Sequence, residues 1–309
     1  MPLHPRAFKV SVGWTLSLLF LGSVVHATES SLACPDWPTC FGTMAPEMTG
    51  GVFWEHLHRL VAGGLVLMFG LATWLARREA TDRPWIFQAC LAGLALLVMQ
   101  SVFGGLTVIY RLPDMVSTTH LGLAFLFLAL ATVLASAATA APTGFGPGVG
   151  PKLRVFAAVA AGLVLAQSVL GALVRHTDGG MSCPDVPLCL GQVVPPLLNV
   201  QITSHYLHRV VAVVVTLVVL ALAWWVRRRA VPDRVGRWVA FAAVLVVTQV
   251  GLGIASVLSV LAVVPVSLHT LVAAGLLATL TTVATLAGRA SVTMPPTVPA
   301  PSAITEPTR

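Results

Sequence analysis

The chain has 309 residues, a formal net charge of +7, and 57% hydrophobic against 9% charged side chains. Its mean hydropathy of +0.89 excludes a soluble globular domain, because no soluble core could hide that much apolar surface. Long segments that are apolar all round, without alternation, exclude a β-barrel and predict an all-α membrane protein.

Residues 1–9, with Arg6 and Lys9, read as a cytoplasmic leader. Eight apolar segments follow at 10–26, 54–76, 85–109, 116–140, 153–174, 203–226, 237–260 and 265–287. Their lengths suit a helix crossing roughly 30 Å of hydrocarbon. The first has the basic start of a cleavable signal, with small residues near Ala27. Its counterpart at 153–174 is internal, however, and Leu21-Gly22 matches Leu170-Gly171, so it is read as a retained helix. Residues 141–152 form a cytoplasmic linker, and the Pro/Thr-rich 288–309 a disordered cytoplasmic tail. All Lys and Arg except Arg59, Arg111, Arg175 and Arg209 fall at one set of segment ends. The positive-inside rule then predicts cytoplasmic termini and outward-facing Cys loops in a cell-membrane protein. The net charge is a topology signal and gives no reason to infer nucleic-acid binding.

The rare polar residues occur twice. Cys34, Asp36 and Cys40 fall on Cys183, Asp185 and Cys189 at an offset of 149, and His58-Arg59 on His208-Arg209 at 150. Gln100, Gly104 and His120 fall on Gln249, Gly253 and His269. The expected architecture is eight transmembrane helices as two tandem four-helix bundles, repeats 10–140 and 153–287, each with its own binding site.

Cys34/Cys40 and Cys183/Cys189 each enclose five residues in an outward loop, where an oxidising exterior favours disulfides. Each bond either staples its loop or also exchanges electrons with an external thiol protein. Cys90, inside the third segment, reads as a small core residue. His26 and His176 sit at outward helix ends, and His56 and His205 face lipid headgroups or another helix.

His58, His120, His208 and His269 lie about five or six residues inside their spans, a common depth of about 8 Å. Ionisable groups within a span usually mark function or pairing. Two imidazoles from facing helices suit a planar macrocycle gripped from both sides. Zinc would want more ligands per site and copper a Cys or Met beside the His. The economical reading is two haems, one per half, ligated through iron by these four histidines.

Arg59 and Arg209 need a partner at this depth, a haem propionate or a carboxylate, unless they snorkel. Glu55 shares a helix face with His58 and Arg59, whereas the second half has His205 there. Glu55 is either a structural partner of Arg59 or acts on a substrate at the first site, relaying protons or stabilising positive charge.

The duplicated eight-helix layout, CPDWPTC at 34–40, EHLHR at 55–59, the four spaced histidines, and the repeats SCPDVPLC and HYLHR resemble the haem A synthase family over residues 8–288. The resemblance implies an enzyme oxidising the C8 methyl of haem O to a formyl group, by two hydroxylations and loss of water, for cytochrome oxidase biogenesis. It implies that His58 and His120 flank the substrate haem O and its product haem A, with Glu55 catalytic. It further implies haem B on His208 and His269, a Cys34–Cys40 disulfide, haem O synthase (a farnesyltransferase) as supplier, and cytochrome oxidase assembly factors as partners. A homo-oligomer is compatible with the layout. One departure is HATESSLACPDW before the first Cys, where the family suggests a Thr-Gly-Ser-Gly-Leu approach; another is that both halves keep Cys pairs. The competing readings are a dihaem cytochrome b-like electron-transfer protein, a transporter built on repeats, and a haem-free thiol oxidoreductase.

Overall fold

A computed structural model describes residues 3–79, 83–139 and 141–290. Eight helices among them are long and apolar enough to cross a membrane. They are α1 (Leu3–Ala27), α2 (Gly50–Ala76), α3 (Pro84–Ile109), α4 (Asp114–Ala137), α5 (Val149–His176), α6 (Val200–Arg227), α7 (Asp233–Leu258) and α8 (Val263–Ala290). The described residues contain no β-strand beyond isolated bridges at Cys40–Thr43 and Cys189–Gln192.

The helix starts follow local chemistry. Pro84 opens α3, where its missing N–H costs nothing. Asn199 caps α6 by accepting from the Ile202 N–H at 2.9 Å. Asp114 and Asp233 occupy the first turns of α4 and α7, at the positive end of the helix dipole. Inside the spans, Ser and Thr hydroxyls donate to the carbonyl four residues back, as Thr15 does to Ser11 and Thr132 to Leu128. The helices thereby satisfy polar groups that lipid could not.

Several boundaries differ from the expectation. Helix α1 begins at Leu3, so it takes in most of the leader, and Phe8 is fully buried within it. The linker is shortened because α5 starts at Val149, and α8 carries the chain through Gly288 and Arg289 to Ala290. The remainder of the expected tail lies outside the described residues.

In the first half α1 packs on α2 and α4, and α3 on both of those helices; in the second half α5 packs on α6 and α8, and α7 on both of those. Across the halves, α1 meets α8, and α4 meets α5 and α8. Phe8, Phe69, Ile86 and Phe127 centre one buried cluster. A larger one joins Leu153, Leu222, Val235 and Leu280 to Phe125 and Leu128 of α4. Leu67, Val98, Leu217 and Val244 are exposed on the outside, as lipid-facing positions should be.

The backbone repeats its unusual conformations. Left-handed pairs end α3 at Arg111-Leu112 and α7 at Val260-Leu261, and others lie at Phe41-Gly42 and Leu190-Gly191. Glu29 and Asp178 are left-handed at matching places after α1 and α5.

Candidate haem site

His58 and His208 lie eight residues into α2 and α6, and His120 and His269 six residues into α4 and α8. That corresponds to about 12 Å and about 9 Å of helix rise, because α2 and α6 start earlier than the apolar pattern suggests.

Each ring rests on a glycine of the neighbouring helix: His58 on Gly22 of α1, His120 on Gly104 of α3, His208 on Gly171 of α5, and His269 on Gly253 of α7. A methyl group added at these glycines would stand 3.0, 3.1, 2.8 and 3.1 Å from the ring Cε1. Small residues let helices and large side chains approach closely inside a membrane. The histidine spacing alone did not disclose these seats. Their signal was the coincidence of Gly22 with Gly171 and Gly104 with Gly253 in the repeat.

His208 and His269 face one another with ring centroids 6.4 Å apart and planes at 65°. Two imidazoles binding one metal from opposite sides, each at about 2.0–2.1 Å, place their centroids roughly 6 Å apart. His58 and His120 are close enough to interact electrostatically. Nδ1 of His58, His120 and His269 is buried without a hydrogen-bond partner. His208 differs: Gln167 of α5 places Nε2 3.0 Å from its Nδ1 and donates to its carbonyl at 2.8 Å. Gln167 was not anticipated, since Leu18 occupies its place in the first half. Buried Nδ1 atoms without a partner require an explanation, and the opposed rings of His208 and His269 fit residues that would hold a haem.

Both Cys pairs form disulfides. In the first loop the Asp36 carboxylate accepts from the Thr39 hydroxyl, Gly42 N at 2.9 Å and Phe41 N at 2.6 Å. The Thr39 hydroxyl foremost, then the Gly42 amide, holds the Asp36 carboxyl below its usual range. Asp185 plays the same part, accepting from Gly191 N at 2.6 Å.

The arginines tie these loops to the helices. Arg59 donates to the carbonyls of Asp36 (2.7 Å) and Thr39 (2.6 Å), and Arg209 to those of Asp185 and Leu188 (both 2.6 Å). The third partner differs. Arg59 pairs with Glu55 Oε1 at 2.5 Å, whereas Arg209 donates to the Cys183 carbonyl at 2.5 Å. Of the partners expected, Arg59 thus has a hydrogen-bonded carboxylate, whereas the hydrogen bonds of Arg209 go to carbonyls. Glu55, 5% exposed, also accepts from Cys34 N at 2.8 Å, so it bridges helix, loop and Arg59. His205 replaces it with a bond from Nδ1 to the Gly179 carbonyl at 2.9 Å.

Trp37 of the first loop reaches α3, where a methyl group at Gly105 would lie 2.8 Å from its ring. It therefore sits beside the Gly104 seat of His120, while Val186 takes its place in the second loop. His26 and His176 form a ring pair 5.2 Å apart, and His176 also meets Thr118 at 3.1 Å. His56 and His205 are buried, so neither faces headgroups. Cys90 is a buried free thiol.

The sequence model of a family described as "Cytochrome oxidase assembly protein" matches residues 47–281. A protein of Symbiobacterium thermophilum named "Heme A synthase" is 31% identical over 242 residues, 75% of this chain and 78% of its own. A namesake from Rhodospirillum centenum is 30% identical over 300 residues, covering 81% and 79%. Another, from Halalkalibacterium halodurans, is 29% identical over 255 residues, covering 81% and 85%.

Proposed function

Because the chain belongs to the haem A synthase family of cytochrome oxidase assembly proteins, we propose that it is a multi-pass membrane oxidoreductase making haem A. The substrate is haem O, and the change is oxidation of its C8 methyl to a formyl group. The observation that carries this reading is the four imidazoles, each on a glycine of the neighbouring helix and grouped two to a half.

In this reading His58 and His120 hold the substrate haem in the first half. His208 and His269 hold haem B, which supplies redox chemistry when bound. The Gln167 contact holds the His208 ring in place, whereas the first half has Leu18 at the corresponding position. Gly22 and Gly104 orient the substrate ligands, and Trp37 closes one flank against water. Glu55 is assigned to catalysis, presenting charge beside the substrate site while its hydrogen bonds to Cys34 and Arg59 fix its position. Arg59 and Arg209 set the loops over the two sites. The Lys/Arg distribution supports cytoplasmic termini, outward Cys loops and a cell-membrane location. Haem O synthase is the proposed supplier.

Co-expression with a haem O producer, followed by extraction and mass analysis of the haems, tests the proposal. Haem A or its hydroxylated precursor is expected. Unchanged haem O with bis-histidine spectra would instead establish a dihaem electron-transfer protein.

A further inference from the structure

One cluster outside the four paired histidines has chemistry that the proposed reaction does not use. The sulfurs of Cys34 and Cys40 and one ring nitrogen of His56 lie within 4.8 Å of one another, and all three residues are buried. His56 is only 2% exposed, and its Nε2 lies 3.1 Å from the Met44 carbonyl oxygen. A carbonyl can only accept, so Nε2 carries the proton and Nδ1 keeps its lone pair. That Nδ1 is buried and has no hydrogen-bond partner. One ring nitrogen bonded to a carbonyl and the other left as a lone-pair donor is the arrangement of a metal-ligating histidine.

The backbone holds the three groups together. Cys34 N is fastened to Glu55, the residue before His56, at 2.8 Å. Cys40 exchanges main-chain bonds of 2.9 and 3.2 Å with Thr43, the residue before Met44. The second loop has the same disulfide, but Tyr206 stands where the first half has His56. Among the described residues no third ligand joins Cys183 and Cys189. The two loops are alike as staples and differ in this one donor.

We propose that reduction of Cys34–Cys40 converts the first loop into a site for a thiophilic d10 cation such as Zn²⁺. Two thiolates and Nδ1 of His56 are the ligands, with the fourth position left to water. An external dithiol supplies two electrons and two protons to the disulfide and is itself oxidised to a disulfide. The incoming cation then displaces the two thiol protons. Tetrahedral ligands at about 2.0–2.3 Å from the metal lie roughly 3.5–3.8 Å apart, so on reduction the two sulfurs, bonded to each other in the disulfide, separate while the imidazole nitrogen, within 4.8 Å of them, moves in. The site is independent of the haem reading, since none of its ligands is a proposed haem ligand.

The test uses full-length protein in detergent carrying Cys183→Ser and Cys189→Ser, reduced with a phosphine and titrated with Cd²⁺. Cadmium–thiolate charge-transfer absorption ignores histidine-only sites. One equivalent should bind after reduction and none before it. His56→Ala, or His56→Tyr if the alanine variant does not fold, should weaken binding at least about tenfold with haem content unchanged. Cys34→Ser/Cys40→Ser, made with Cys183 and Cys189 intact, should not bind with comparable affinity. The proposal is overturned by absence of the thiolate band, by affinity indifferent to His56, or by equal binding at the reduced second loop.

Discussion

Glu55 and Arg59 are four residues apart on one helix, yet their pairing reaches well beyond that helix. Both Glu55 oxygens are engaged, one by Arg59 and the other by the Cys34 amide, so truncation unties the loop as well as removing charge. Losing one partner of a buried pair costs about 3 kcal/mol here, the low end of the range, because Arg59 keeps two carbonyl acceptors. Glu55→Ala should therefore abolish haem A formation and also expose the Cys34 amide to hydrogen exchange. Glu55→Gln should keep most of the protection, since an amide oxygen still accepts from Cys34. Unaltered exchange in Glu55→Ala would remove the bridging role.

Asp36 makes a second prediction, about acid. Its folded-state carboxyl is depressed, so its contribution is fully present above the ordinary value of about 3.9. It is lost as pH falls through the lower folded value. The Phe41 and Gly42 amide resonances, both hydrogen-bonded to this carboxylate, should titrate together below about pH 3.9. Asp36→Asn should abolish that transition. A midpoint at or above the ordinary value would contradict the loop geometry.

At the scale of elements, the glycine seats govern the proposed ligands. Gly171 and Gly162 are both on α5, but a methyl group at Gly171 meets His208 at 2.8 Å while at Gly162 it meets nothing within 4 Å. Gly171→Ala should push the ring aside, lower haem retention several-fold and alter the Soret band. Gly162→Ala should leave the spectrum unchanged. Equal spectra in both would mean that the seat does not position the ring.

The helices were legible because crossing hydrocarbon imposes length and apolarity that no soluble element needs. Their ends were less so. Arg6 and Lys9 read as a solvated leader, yet Phe8 between them is buried in α1. The four histidines could be found by position and number, and both disulfides by spacing. Gln167 on His208, His56 beside the first disulfide, and Trp37 on Gly105 depend on which helices and loops touch. A single sequence gives no such pairing. Glu55 illustrates both sides: its place on the face of His58 and Arg59 could be read, but its bond to Cys34 could not.

Across the whole molecule, two halves share glycine seats, left-handed turns and arginine-tied loops, while the surroundings of the two sites differ at a few telling residues. Glu55 stands against His205, His56 against Tyr206, Trp37 against Val186 and Leu18 against Gln167. Three of these replacements give the first half an acid, a lone-pair donor and an aromatic flank. The fourth gives the second half a side-chain contact to the His208 ring. An exchangeable site and a permanent one would diverge in this direction. Replacing His208 or His269 by Ala should therefore eliminate the haem b absorption of protein purified from cells lacking haem O. His58→Ala and His120→Ala should retain that absorption under the same conditions and yet form no haem A when haem O is supplied. Haem b lost equally from all four variants would show that the halves do not divide the work. Haem b unaffected in both His208 and His269 variants would place the permanent cofactor elsewhere.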